Sequence, residues 1–555
     1  MSTEKSVGIL KAKTGCLTCK KRRIKCGEEK PICRRCHSAK RDCTYNIFAT
    51  PQLPHEIARR PSQPSTSPGR LLSSFSATEN EWQAFAFYFQ RASISLGGIV
   101  DSDFWHGVVL QVSEAHPLVR HALFAISAIF RHTEECASES LAQCSCQHYG
   151  LALRYYNKSI AGLREHLQHN NPTPLAALTY TLYTCIEALL GHDQNVLSLI
   201  RQGYTMLLNC SHNSTLSKTD AILSEHVATQ FSRLRLLSVL FGQPVGAEKD
   251  GESLLNIAVG AAETAADAAR NGLFTIMNNS MAFQVEVAKY RGYSTAYTMP
   301  PEWLTQWQQD LLHSLERWYQ DSQKLSINFL LDVGEHKWDM SLEGRRLTLL
   351  VLYYLNTKTW VSTVLSDDIT CHDHHAEVFK TAVHKSEMLL IIAEDNPGRR
   401  SLFSIEIGLI GILFYVAVKC RISTIRKRAL SLLYLTPHKE GLWDRAETIT
   451  VVRRVIELED GLEERRVYDV SYSGNYTLNG VIMIDVTFLW RASSDPLSSF
   501  KLTESLIVTD QADVEVVAVN AQCSHIGVTT TKFSLKESSD TTELTDAVLK
   551  DFQLS

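Results

Sequence analysis

From about Glu79 onward, apolar side chains recur every three or four residues, the spacing that lays one face of an α-helix against a core. Val119, Ala122, Leu123, Ile126, Ile129 and Phe130 form one such stripe. Leu175, Leu178, Leu182, Ile186 and Leu189 form another, opened by Pro174 and stopped near Gly191. Trp82, Phe85 and Phe89 mark an earlier helical face, and Leu153, Tyr156, Ile160 and Leu163 a fourth. Leu347 to Leu355 and Ile407 to Val418 are apolar all round, as central helices are. The second of these lies between Glu406 and Lys419 and is shorter than the about 20 residues a bilayer span requires. Beyond it, Val481–Leu489 and Val514–Val519 are rich in β-branched residues and read as short strands. The pattern predicts a large helical body with short β elements near the C-terminus.

The first 78 residues carry no such periodicity, and cysteines take its place. Six of the 14 in the chain fall at Cys16, Cys19, Cys26, Cys33, Cys36 and Cys43, a C-x2-C-x6-C unit written twice. Thiolates at this spacing are the pattern of structural zinc sites, which take four ligands in a tetrahedron. Two separate tetrahedra need eight ligand positions, which six thiolates fill only if two of them bridge. The repeat makes Cys16 and Cys33, the first of each half, the natural bridging pair. A segment with so few apolar residues takes its folding energy from the metal. The competing explanation, a disulfide knot, suits an oxidising compartment. The N-terminus has no apolar run long enough for a signal peptide, and the expectation is a soluble, intracellular chain.

Charge sharpens this picture. The formal net charge is only −4, yet residues 11–43 hold twelve Lys/Arg against three Asp/Glu, a balance of +9 that leaves −13 for the rest. Lys20, Lys21, Arg22, Arg23 and Lys25 lie between Cys19 and Cys26, with Arg34, Arg35, Lys40 and Arg41 in the second half. Inside a metal-ordered loop such residues are candidates for phosphate contacts and for pairing with guanine in the major groove. The same basic run suits a nuclear import signal.

Residues 16–43, with Lys30-Pro31 ahead of Cys33, resemble the fungal zinc binuclear cluster transcription regulators. The resemblance implies two Zn2+ ions bridged by Cys16 and Cys33, and double-stranded DNA carrying CGG triplets as the partner. It places the base-reading basic pair at Arg22 and Arg23. Phe104-Trp105, Val119–Leu123, Tyr156–Ile160, Lys419–Arg421, Ile425–Ala429 and Glu440–Asp444 resemble the regulatory domain of the same family. The implied fold is a small zinc-stabilised DNA-binding domain followed by an all-α regulatory domain. The implied layout is a cluster domain at 1–50, a linker at 51–78, a helical regulatory domain at 79–470 and a C-terminal segment at 471–555. The implied function is regulation of RNA polymerase II genes from the nucleus, with transcription machinery or coactivators as partners. Family resemblance leans to a positive regulator of a metabolic or secondary-metabolite gene cluster, with a repressor or accessory DNA-binding protein as the alternative.

Five of the 15 prolines, Pro51, Pro54, Pro61, Pro64 and Pro68, make the linker a semi-extended spacer. Relatives often place a coiled coil here, but residues 44–78 carry no sustained apolar heptads. A monomer on one half-site and a homodimer formed through the large domain both stay open. The tail Glu537–Ser555 mixes acids with Leu544, Val548 and Phe552, which share one face if helical. That mix suits an acidic activation segment, although such helices more often dock on their own domain.

The run Cys371–His375 with Glu377 crowds metal-ligand types, but neighbours along a chain rarely point at one ion, and an exposed polar loop is expected. Cys136, Cys144, Cys146 and His148 read as helix-packing residues. No H-E-x-x-H, phosphate-loop, G-x-G-x-x-G or G-x-S-x-G motif occurs, so nothing in the sequence points to an enzyme.

Overall fold

The computed structural model describes residues 18–19, 22, 33–39, 78–135, 146–169, 173–211, 217–240, 265–293, 299–330, 342–366, 368, 370–394, 403–460, 465–472, 475–478, 481–492, 495–509 and 517–526. The chain divides into two compact units, Met1–Thr66 and Ser67–Ser555. In the first, Thr18 and Cys19 are helical and helix α1 spans Arg34–Ser38. The proline-rich stretch and the acidic tail both lie outside the described residues.

The second unit opens with α2 (Glu79–Phe87) and a capping box. The Thr78 backbone N–H donates to the Glu81 carboxylate at 2.9 Å, and the Glu81 N–H donates to the Thr78 hydroxyl. A π-helical turn (Tyr88–Ala92) leads into α3 (Ser93–Gly97), and a second (Phe104–Val108) into α4 (Val109–Ala115). Then come α5 (Pro117–Glu135), α6 (Gln147–His169), α7 (Pro174–Leu189), α8 (Asp193–Ser211) and α9 (Lys218–Leu240). The series continues with α10 (Ala265–Tyr293), α11 (Glu302–Leu330), α12 (Leu342–Thr363) and α13 (Ala376–Glu394).

Helix α5 buries all six residues of its stripe. Helix α7 starts at Pro174, with the Thr173 hydroxyl accepting from the Ala176 N–H at 3.3 Å. It ends in a Schellman turn, in which the His192 N–H reaches Glu187 O, the Gly191 N–H reaches Ala188 O, and Gly191 takes φ +78°.

Two expected faces are corrected. Trp82 is exposed, while Phe85 carries the burial. On α6 the buried residues are Ala152, Tyr155, Ser159 and Leu163, whereas Leu153 and Ile160 face solvent. Small residues set this phase. The Ser159 hydroxyl donates to Leu118 O at 2.6 Å, and a Cβ on Gly162 would sit 3.0 Å from the Leu118 side chain. Close approach of α5 and α6 therefore outweighs the extra apolar area of the other face.

After β1 (Phe403–Ser404) come α14 (Ile410–Lys419), α15 (Ser423–Leu433), the short β2 (Lys439–Glu440) and β3 (Trp443–Asp444), and α16 (Arg445–Asp460). The C-terminal strands are longer and more numerous than the sequence suggested. They are β4 (Arg465–Tyr472), β5 (Tyr476–Leu478), β6 (Val481–Ala492), β7 (Asp495–Ile507) and β8 (Ala518–Ile526), antiparallel in the order β4-β6-β7-β8 with β5 on β6. Ile484 faces Leu506, Val486 faces Glu504 and Phe488 faces Leu502 across β6 and β7, all buried on one face of the sheet. Glu504 belongs on that face because Arg454 of α16 meets it with two hydrogen bonds, of 2.7 and 2.8 Å.

Gly203 on α8 tests this packing. A Cβ there would lie 2.8 Å from Tyr180 Cβ and closer still to the Phe231 ring, whereas Gly150 on α6 has nothing within 4 Å. Gly203→Val should cost about 1–3 kcal/mol by overpacking, read as a lower urea midpoint. Gly150→Ala should instead gain up to about 1 kcal/mol from helix propensity.

Buried carboxyls add a pH dependence. The Glu440 carboxylate accepts the Ile410 N–H at 2.7 Å and so caps α14, whose own Leu409 cannot. Burial nevertheless pushes its carboxyl up to about 7, and burial does the same to Glu447, up to about 7, and to Glu406, up to about 8. A carboxyl that holds its proton more tightly folded than unfolded contributes stability at low pH, and this is lost as pH rises through the folded pKa. Glu440→Gln keeps an acceptor for Ile410. It should reduce the loss of stability between about pH 5 and pH 8 relative to the parent chain, as measured by urea titration across that range.

Candidate metal centre and nucleic-acid interface

Three of the six clustered cysteines are described, and the fold brings them together. Cys19, Cys33 and Cys36 are fully buried, with all their sulfurs within 4.8 Å of one another. Cys19 Sγ lies 3.6 Å from Cys33 Sγ and 3.8 Å from Cys36 Sγ. Bonds of about 2.3 Å at a tetrahedral angle put two zinc-bound sulfurs about 3.8 Å apart, whereas a disulfide needs about 2.05 Å. The spacing therefore fits ligands of a metal and not a covalent link.

Local structure explains the grouping. Cys33 and Cys36 stand at the start of α1, where the Cys36 N–H donates to Cys33 Sγ at 3.4 Å. Such an amide stabilises a thiolate, the form that binds metal. Cys19 belongs to the first half of the repeat and the other two to the second, so one centre draws on both halves.

The basic side chains described here turn outward. Arg22 is exposed one helical turn beyond Thr18, to whose carbonyl its N–H donates at 3.1 Å. Arg34 and Arg35 are exposed on α1 between two buried cysteines. Thus α1 presents thiols inward and guanidinium groups outward. Cys16, Cys26, Cys43, Lys20, Lys21, Arg23, Lys25, Lys40 and Arg41 lie outside the described residues, as does Pro31.

The other sequence candidates behave differently. Asp373 and His374 are exposed, but Cys371 and His372 turn partly inward. His372 Nε2 approaches Tyr415 Oη at 3.2 Å and Thr363 Oγ1 at 3.3 Å, and burial pushes its imidazole down to about 3. The polar loop expected there is therefore half a wall of the core. Cys146 Sγ sits 3.0 Å from His132 Nδ1, and His148 pairs with Glu135 at 2.8 Å, while Cys136 and Cys144 lie outside the described residues. Among the described residues, no helix is long and apolar enough to cross a membrane.

Known families match both parts of the chain. Residues 14–52 match the fungal Zn(2)-Cys(6) binuclear cluster domain, and residues 84–237 the fungal specific transcription factor domain. Both segments are similar to parts of the fungal zinc binuclear cluster transcription factors, a family of DNA-binding regulators. Its cluster domain binds two zinc ions.

Among its relatives, an uncharacterised transcriptional regulatory protein of Schizosaccharomyces pombe is 31% identical over 146 residues, 23% of this chain and 26% of the relative. The aspercryptin biosynthesis cluster-specific transcription regulator of Emericella nidulans is 26% identical over 217 residues, 36% of this chain and 35% of that protein. A Zn(2)-C6 fungal-type transcription factor of Aspergillus fumigatus is 29% identical over 164 residues, 28% of this chain and 41% of that protein. The chain thus spans under half the length of these relatives. No solved structure matches it.

Elemental analysis of the zinc-loaded full chain should find two zinc ions. Cys33→Ser should lower that figure by at least half, because the Cys33 thiol lies beside both Cys19 and Cys36. Cys371→Ser, in the other unit, should leave it unchanged. A Cys33→Ser chain still holding two tight zincs would remove Cys33 from the ligand set.

Proposed function

We propose that the chain is a sequence-specific, nuclear regulator of RNA polymerase II transcription that reads CGG-type half-sites. The reading rests on one observation: thiols from both halves of the repeat converge within 4.8 Å while Arg22, Arg34 and Arg35 stay exposed around them. Two zincs bridged by Cys16 and Cys33, with Cys19, Cys26, Cys36 and Cys43 as terminal ligands, order the head. Arg22 and Arg23, supported by Lys20, Lys21 and Lys25, enter the major groove. Arg34, Arg35, Lys40 and Arg41 hold phosphates and set the register. The cluster domain occupies residues 1–50, the spacer 51–78 and the helical body 79–470. Residues 471–555 contribute the rest of the sheet and an acidic tail.

A positive role in one biosynthetic gene cluster is supported by the Emericella nidulans relative, which is named as a cluster-specific regulator. Repression uses the same head, and a reporter driven by the chain in cells separates the two. A paired CGG motif would point to dimerisation through the body, and a single CGG to a monomeric reader.

The test is selection of bound duplexes from a randomised library by the zinc-loaded full chain, which should enrich CGG triplets. Arg23→Ala should relax base discrimination by about 1–3 kcal/mol at the contacted position. Lys40→Ala should weaken all sequences alike and reduce the salt slope by about one. Equal losses of discrimination in both variants would overturn the assignment, and no enriched motif would overturn the function.

A further inference from the structure

A cavity of about 650 Å³ lies in the second unit, at the seam between the helices and the C-terminal sheet. That volume falls within the range of small-molecule sites, about 300–1,000 Å³. Helices α10, α12 and α14 supply an apolar and aromatic wall that includes Met277, Met281, Trp360 and Phe414, and Trp443 of β3 joins it.

The same lining also carries cations. Arg291, Lys419, Arg421 and Arg491 belong to it, against two carboxylates, Asp368 and Asp469, both exposed to solvent. Arg421 is held by Glu459, and the Arg491 guanidinium lies 4.7 Å above the Tyr468 ring. Lys419 makes no direct ion pair among the described residues, although Asp469 and Glu459 attract it from farther off. It ends α14, half-buried, and its ammonium donates to Tyr468 O at 2.5 Å. Burial pulls this ammonium below the usual lysine range, and an anion brought beside it would offset part of that cost by direct attraction. His372, on the same wall, has its imidazole pushed down to about 3 by burial and adds no charge near neutral pH.

We propose that this cavity binds an amphipathic carboxylic acid, its carboxylate on the Lys419 ammonium and its apolar body against Met277, Met281, Trp360 and Trp443. A neutral apolar molecule would fill the same walls but leave Lys419 without an anion. A small polar anion would leave the aromatic wall unfilled. The site contains residues from Met277 to Arg491, entirely beyond the segments 14–52 and 84–237 that match the family domains. It therefore stands independently of the DNA-binding reading. A bound acid would touch α12, α14, β4 and β6 together, and so clamp the sheet onto the helical body.

The test titrates the zinc-loaded full chain with 2-naphthoate and dodecanoate, and with their uncharged primary amides, by calorimetry and thermal shift. One acid per chain should bind, about tenfold tighter than its amide, as a charge-assisted contact requires. Lys419→Met should erase that preference while leaving amide binding in place. Gly411 faces this wall, where a Cβ would meet Trp443 at 3.5 Å, an ordinary contact. Gly411→Leu should intrude beside Trp443 and weaken binding of acid and amide alike. The acid-to-amide comparison on the unmodified chain stands whatever the stability of the variants. The proposal fails if neither acid saturates, if acid and amide bind equally, or if Gly411→Leu binds as the parent does.

Discussion

Buried charge needs a partner, and this chain's architecture follows from where the partners are found. An ionised group withdrawn from water costs several kcal/mol unless an opposite charge, an amide or a metal meets it. In the head, the three described thiols of Cys19, Cys33 and Cys36 converge as metal ligands do, and metal binding would supply the folding energy there. In the body, Asp101 is met by Arg233 and Arg270, elements far apart in sequence that are thereby held together. Glu459 of α16 takes Arg421 and Arg426 and also accepts the Val467 N–H at 2.8 Å, which binds helices α14 to α16 to the first long strand. Arg454 and Glu504 do the same for the sheet's centre. Each pair sits at a junction between elements, so polar satisfaction fixes how the apolar faces register.

This division explains what the sequence could reveal. Helix α5 was legible to the residue because its stripe is wide and its partner faces are apolar too. Helix α7 was legible at both ends, since Pro174 and Gly191 act through backbone geometry that no tertiary contact overrides. Helix α6 was read one position out of phase: Ser159 and Gly162 look polar or neutral in a hydrophobicity pattern, yet they decide the closest approach to α5. Strand β7 was missed for a related reason. Glu504 interrupts its apolar alternation, and the arginine that makes the carboxylate acceptable lies 50 positions earlier in the chain.

The two sites differ in the same way. The metal centre is written in 28 consecutive residues, with ligands whose spacing alone implies the coordination, and the structure adds only the convergence of Cys19, Cys33 and Cys36. The cavity at the seam is assembled from residues between Met277 and Arg491 on helices and strands alike, and each of them, taken singly, is an ordinary core or surface residue. Even His372, singled out within a crowd of ligand-type residues, gave a false lead as an exposed loop because its real neighbours are Thr363 and Tyr415.

The consequence is a difference in how each site responds to change. A ligand lost from the head removes the energy that folds it, so damage there is close to all-or-none. The seam borders a large buried apolar cluster that, among the described residues, draws on positions from Ala84 to Leu506, so its walls can be reshaped in steps without unfolding the unit. A part proposed to read one DNA geometry gains from the first property, and a part proposed to answer a small molecule gains from the second. The half-buried ammonium of Lys419, held by the Tyr468 carbonyl and attracted by Asp469 and Glu459 only from farther off, is a local cost that the surrounding core can sustain.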